Sequence, residues 1–462
     1  MKSIITFLII TVINFGQSFY TSTKKYHTTT SNKTVFGYLP WWEHNAKTHI
    51  NIKYDLLTHL AVFSFEVDSL GNLINPPNWP WNDVINNAKL QNVKLIMAVS
   101  NFQSRDISKF INDTTIQQKL FANIRQQILL HNFNGINIDF ENLYDGADKL
   151  IGINSFMKLL NEDVKSINQN LEVSFASPSY GYNKWDFQKL SESCDYLFVM
   201  QYDYYGSWSF TTGPSSPLAG NFYNIPNSFN IEYENVLPEK LVLGVPYYGN
   251  YWKTKSSEAY ASIIPYDSAK SNNNWQSILR YKEVLQDLSY YQKMWDNLSQ
   301  TSWIRKKEND TTWHQIWYDD SLSLSLKYDF AIQKNLKGIG IWALGYDNNR
   351  FELWNLIKNK FFTSTTIQNK LDLQKDIMIQ IFPNPFNSET IIRYNIIKDS
   401  FVKIKLYNLI GEEITTIVKD FQIRGVYQIN FNSDDFNLSS GIYILKGEFG
   451  GNVINQKLIL LK

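Results

Sequence analysis

Short apolar runs recur through most of this chain, each followed by a segment of helical period. The runs are Val35–Leu39, Leu60–Phe65, Lys94–Val99, Gly135–Glu141, Glu172–Ala176, Tyr196–Tyr202, Lys240–Val245 and Gly338–Trp342. Each has the length and the β-branched or aromatic content of a strand. Between the fourth and fifth, Asn154–Asn168 sets Phe156, Leu159, Leu160, Val164 and Ile167 along one helical face. Strand runs separated by helices predict a parallel sheet. Eight such units over residues 34–362 predict a (β/α)8 barrel of the TIM type. A doubly wound open sheet is the competing arrangement, but no glycine-rich phosphate loop follows the first strand. In a barrel, functional side chains stand at the C-terminal ends of the strands.

The pattern changes near residue 362. Residues 363–375 are polar and predict a linker. Short alternating runs follow at Thr390–Tyr394, Val402–Tyr407, Tyr427–Phe431, Ile442–Leu445 and Leu458–Leu461, separated by Gly411, Gly425, Ser440-Gly441 and Gly450-Gly451. About seven short strands within residues 376–462 predict an Ig-like β-sandwich. At the other end, Lys2, the apolar run Ile4 to Ile13 and then Gly16, Gln17 and Ser18 have the layout of an export signal over residues 1–18. The apolar run is too short for a spanning helix. The Thr/Ser-rich stretch from 19 to 33 predicts a flexible leader.

The chain's 462 residues imply two or three domains, and 44% hydrophobic residues suffice for large cores. A net charge of +1 gives no electrostatic basis for nucleic-acid binding. Aromatics reach 15%, with 14 Trp and 28 Tyr, supplying both core and faces on which sugar rings stack. Cys194 is the single cysteine, so no internal disulfide forms, and its apolar setting marks a buried thiol rather than a nucleophile. No metal-ligand cluster of Cys and His stands out, and no metal or cofactor is expected. His314, between Trp313 and Trp317, is expected to be non-catalytic.

The run Asn134-Gly-Ile-Asn-Ile-Asp-Phe-Glu141 carries the chemistry. As a strand it separates Ile136, Ile138 and Phe140 from Asn137, Asp139 and Glu141 on opposite faces. Asp139 and Glu141 then share one face with α-carbons roughly 6.5–7 Å apart. Buried carboxylates are costly without partners, so such a pair marks a functional position. The run resembles the fourth-strand signature D-G-x-D-x-D-x-E of glycoside hydrolase family 18, the chitinase family, with Asn134 and Asn137 at the first two Asp positions.

Other segments agree with that resemblance in order and spacing. Met200-Gln-Tyr-Asp-Tyr-Tyr-Gly206 is similar to the family's M-x-Y-D motif. Gly338-Ile-Gly-Ile-Trp-Ala-Leu-Gly345 carries Trp342 where the family places the floor of its catalytic subsite. Phe36-Gly-Tyr-Leu-Pro-Trp-Trp42, Val245-Pro-Tyr-Tyr-Gly249 and Trp317 to Phe330 also match. The resemblance implies a barrel with a small insertion after strand seven, spanning Tyr251–Trp313. It implies catalytic Glu141, Asp139 and Tyr202, and substrate-binding Asp203, Trp342, Asn137, Tyr38, Trp41, Tyr248 and Gln201. Glu141 is then the acid, the substrate's own 2-acetamido group the nucleophile, and Asp139 and Tyr202 its stabilising and orienting partners. Asn137 removes a negative charge that the family's Asp supplies, and a changed pH profile is expected. The serine of the family's third strand corresponds weakly to Ser100.

In the C-terminal region, Pro383-Asn-Pro-Phe-Asn387, Leu406-Tyr-Asn-Leu-Ile-Gly-Glu412, Leu438-Ser-Ser-Gly-Ile-Tyr443 and a terminal Lys462 resemble the sorting domain of type IX secretion substrates. That implies secretion from, or attachment to, the outer-membrane surface of a bacterium. The expected substrate is chitin or another N-acetylglucosamine polysaccharide, and the expected partner is the type IX machinery. The expected state is a monomer. Peptidoglycan or the N-glycan core offers the same acetamido sugar and remains a second enzyme reading. A chitin-binding lectin without catalysis is the third.

Overall fold

Eight parallel strands close on themselves. They run Thr34–Pro40, His59–Val67, Lys94–Asn101, Gly135–Phe140, Glu172–Pro178, Tyr196–Met200, Leu241–Pro246 and Gly338–Trp342. Each pairs with the next, and the eighth returns to the first through Val35 opposite Ile339. The computed structural model describes residues 33–264, 276–286, 288–348, 350–362, 379–396, 398–422 and 425–462. The export signal, nearly all of the leader and the linker read from the sequence lie outside the described residues.

The closure follows from side-chain size inside and hydrophobic continuity outside. Phe36, Tyr38, Phe63, Tyr196 and Phe198 fill the interior. Gly244 and Gly340 make room for the Phe198 ring, since a β-carbon at Gly340 would lie 2.1 Å from it. The outward faces of the strands pack under helices such as Asn82–Leu90, Thr114–His131, Ile153–Ile167, Ser321–Gln333 and Phe351–Phe361. Asp113 starts the Thr114 helix by accepting from the backbone of Thr115 and Ile116. In Ile153–Ile167, Phe156, Leu160 and Val164 are buried as the periodicity predicts. Leu159 is not: it is 45% exposed, and Met157 takes its place in the core. The helix begins one residue early, continuous with Asp148–Gly152 before it, and at about 100° per residue Leu159 lies beside the stripe that Ile153, Phe156, Met157, Leu160 and Val164 share.

Between the seventh and eighth barrel strands lies a five-stranded antiparallel sheet. It comprises Tyr248–Thr254, Gln276–Arg280, Gln292–Asp296, Thr301–Asn309 and Thr312–Tyr318. The insertion thus begins and ends slightly outside Tyr251–Trp313. Trp252, Trp303 and Trp317 form its own core, with the last two rings stacked at 5.1 Å. The C-terminal region forms two antiparallel sheets, of three and four strands, around Ile392, Val402, Ile404, Leu445 and Leu458. The strand Glu413–Gln422 joins the runs read from the sequence.

Candidate active site

The fourth barrel strand ends at Phe140, so Asp139 points inward and Glu141 stands just beyond the strand at its C-terminal mouth. Both line a cavity of about 310 Å³ with Tyr38, Trp41, Tyr202 and Trp342. A larger cavity, about 790 Å³, lies where Trp303 and Tyr318 face Phe401 and Phe421. None of its lining residues belongs to a barrel strand, whereas a barrel assembles its chemistry at its strand ends.

Asp139 is 4% exposed, and its Oδ1 is buried without a hydrogen-bond partner among the described residues. Burial pushes its pKa well above the usual carboxylate range, and neighbouring Glu141 adds to the effect. Glu141 is raised in turn, first by burial and then by Asp203. Two carboxyl groups that interact in this way titrate as a coupled pair. Asp203 has a left-handed backbone, φ 62°, and opens onto the cavity. Tyr248 donates its phenolic hydroxyl to Asp203 Oδ1, and Ser215 Oγ lies 3.5 Å from the same oxygen. The enclosing protein raises Asp203 as well, although those two donors work against the shift.

Beneath the carboxyl pair, Asn137 is fully buried. Tyr38 donates to Asn137 Oδ1 at 2.6 Å, and Asn137 Nδ2 donates to Ser174 Oγ at 2.9 Å. Its amide is therefore spent on those two neighbours. Trp342 meets Phe63 edge to face at 4.7 Å and Tyr38 at 5.4 Å. These contacts fix its ring at the side of the cavity.

The family 18 glycosyl hydrolase profile matches residues 34–347. The chain belongs to the glycosyl hydrolases of family 18. Residues 380–461 match a secretion system C-terminal sorting domain. Among curated relatives, "Probable chitinase 2" of Drosophila melanogaster is 27% identical over 55% of this chain and 56% of its own length. The "Cortical fragment-lytic enzyme" of Bacillus subtilis is 24% identical over 66% and 68%. This chain thus spans only a little over half of the first relative's length and about two thirds of the second's. A GH18 chitinase from Cycas revoluta, solved with (GlcNAc)3, superposes with a TM-score of 0.63 at 18% identity. It covers 71% of this chain and 99% of its own, a likeness of fold.

Within this family 18 chain, the expected residues divide into three groups. Glu141, Asp139, Tyr202, Asp203, Trp342, Tyr38 and Trp41 meet at the cavity. Asn137 and Tyr248 stand behind it, holding Tyr38 and Asp203. Gln201 turns away: fully buried, it donates to Ser228 Oγ at 2.6 Å and accepts from Tyr204. Ser100 is buried, and its hydroxyl donates to Ser64 Oγ at 2.7 Å. His314 is bonded to Tyr251 and Glu308 on the inserted sheet, outside the cavity lining. Sequence reasoning missed Phe63, Ser64, Glu66 and Phe102, which also line the cavity. A register shift between Val62 and Phe65 brings Ser64 and Glu66 inward. The only trace in the sequence is a charged residue inside an apolar run. His44, His49 and Asp83 also come together, outside the cavity lining, with both imidazoles on the one carboxylate.

Proposed function

We propose that this protein cleaves β-1,4 bonds of chitin or chito-oligosaccharides by retaining, substrate-assisted catalysis. The carrying observation is buried Asp139 beside half-buried Glu141 at a mouth walled by Tyr38, Tyr202 and Trp342. Glycoside cleavage needs an acid for the leaving oxygen and a group that meets the developing cation. Glu141, raised by burial, keeps a proton to deliver. The acetamido carbonyl of the bound sugar attacks the anomeric carbon and forms an oxazolinium ion as the glycosidic C–O bond breaks. Asp139, with its free Oδ1, accepts the acetamido N–H and stabilises that ion. Tyr202 and Asp203 orient the acetamido group, and Trp342 supports the sugar ring. Water deprotonated by Glu141 then opens the oxazolinium ring with retention of configuration.

The sorting domain supports export by the type IX route of a bacterium, with the enzyme acting as a monomer in the medium or at the outer-membrane surface. The relative named for cortical fragments keeps peptidoglycan as the second reading. Product analysis tests the proposal. Wild type and Glu141→Gln are incubated with chitin hexamer, peptidoglycan and a high-mannose glycopeptide, and products are read by mass spectrometry. Short chitin oligomers from wild type alone are expected. Cleavage of peptidoglycan or glycopeptide alone changes the substrate and keeps the chemistry. Hexamer binding without cleavage of any of the three overturns the enzymatic role.

A further inference from the structure

The second barrel strand would, by strict alternation, send Phe65 and Val67 inward and Glu66 outward. The register shift between Val62 and Phe65 reverses this. Phe65 and Val67 are buried in the outer core under the helices, and Glu66 is the one exposed residue of the strand, lining the cavity. Among the described residues its carboxylate takes part in no hydrogen bond or ion pair. An inward Glu at the rim of this mouth is not needed for packing, since Phe63, Trp42 and Trp342 already pack there.

The charge balance of the whole cavity points the same way. Glu66, Asp139, Glu141 and Asp203 all line it, and among the described residues no lysine, arginine or histidine does. Asp139 adds a deeply buried oxygen, Oδ1, that has no donor among those residues. A fully acetylated chain is neutral and offers Glu66 hydroxyl and amide donors but no opposite charge. A glycan carrying carboxylates is repelled by this lining, because like charges brought together at an interface are costly. A glucosamine unit, which bears an ammonium where the acetyl group is missing, supplies the complementary charge.

We propose that Glu66 makes this a site for partly de-N-acetylated chitin, pairing with the ammonium of a glucosamine unit beside the acetylated sugar that reacts. The inference rests on the proposed chitin-cleaving function and names its substrate more closely. The reacting sugar must keep its acetyl group to act as nucleophile, so selection falls on its neighbour. The substrate is then a mixed polymer rather than fully acetylated chitin or fully deacetylated chitosan.

The test compares two defined probes, chitohexaose and a half-deacetylated hexamer mixture, with wild type, Glu66→Gln and Glu66→Asp at pH 6. The readout is the ratio of kcat/KM for the deacetylated over the acetylated probe, with mass-spectrometric sequencing of the new ends. A partly exposed ion pair is worth about a fivefold effect. The ratio is expected to fall about fivefold in Glu66→Gln, to persist in Glu66→Asp, and to shrink with added salt in wild type. Glucosamine should be enriched beside the cut in wild-type products. An equal ratio in wild type and Glu66→Gln, or no such enrichment, overturns the role of Glu66 while the chitin-cleaving function stands. Failure of wild type to cleave either probe overturns both.

Discussion

Replacing Asn137 by Asp tests whether the carboxyl pair sets the pH dependence. Asn137 and Asp139 are two apart on one strand, so a carboxylate at 137 lies about 6.5 Å from that of Asp139. At an effective dielectric constant of about 20, two unit charges at that distance repel by about 2.5 kcal/mol. Tyr38 already donates to residue 137, and Ser174 can turn its hydroxyl from the Ile136 carbonyl to the new carboxylate, which together keep it ionised. The active form of the pair carries one proton: Glu141 must hold it, and Asp139 must be ionised. An added negative charge favours protonation, so both the acidic and the basic limbs move to higher pH. At about 1.4 kcal/mol per pH unit, the displacement is about one to two units. The assay is kcat/KM for chitohexaose against pH, which reports groups of the free enzyme. Limbs that stay in place, or move toward acid, refute the reasoning. Either result means that the pair is better screened than its burial implies, or that a different group controls the profile.

Other substitutions probe separate parts of the structure. Glu141→Gln should lower kcat by about 10²–10⁴-fold with an unchanged circular dichroism spectrum, since the proton donor is lost and the shape retained. Tyr248→Phe removes a hydroxyl that Asp203 accepts, and kcat/KM should fall about tenfold, as expected for one charge-assisted hydrogen bond. Asp319→Ala leaves Lys327, which is 0% exposed, without its partner; denaturant unfolding should show a loss of about 3–5 kcal/mol. At the opposite end of the barrel, burial pushes Glu172 up, but His59 and Lys94 outweigh it and hold its pKa at about 2 against an ordinary 4.5. A depressed carboxyl contributes stability above its unfolded pKa and loses it as pH falls through the folded one. Wild type should therefore lose about 3 kcal/mol between pH 4.5 and 2 relative to Glu172→Gln, read by urea unfolding at each pH.

What the sequence determined by itself is what depends on local period and on strand direction. The eight barrel strands were legible because each is a short apolar run followed by a helical segment, and observed limits differ by only a few residues. Asp139 and Glu141 were legible because two carboxylates alternating with Ile138 and Phe140 must share a face. Tyr202, Trp342 and Tyr38 lie at strand ends and reach the same mouth for that reason. Tertiary structure alone decided the rest. Gln201 belongs to the same motif as Tyr202, yet its neighbours Ser228 and Tyr204 offer a buried donor and acceptor, and the amide goes to them. Leu159 lies at the edge of the apolar stripe of its helix, and packing against the barrel buries Met157 on the other edge instead. Glu66 shows the limit most clearly. Alternation assigns it to the outside, and a single shift of register against the third barrel strand turns it into the cavity. A period of two fixes which residues share a face; which face looks inward depends on pairing between distant strands, and that is settled only when the barrel closes.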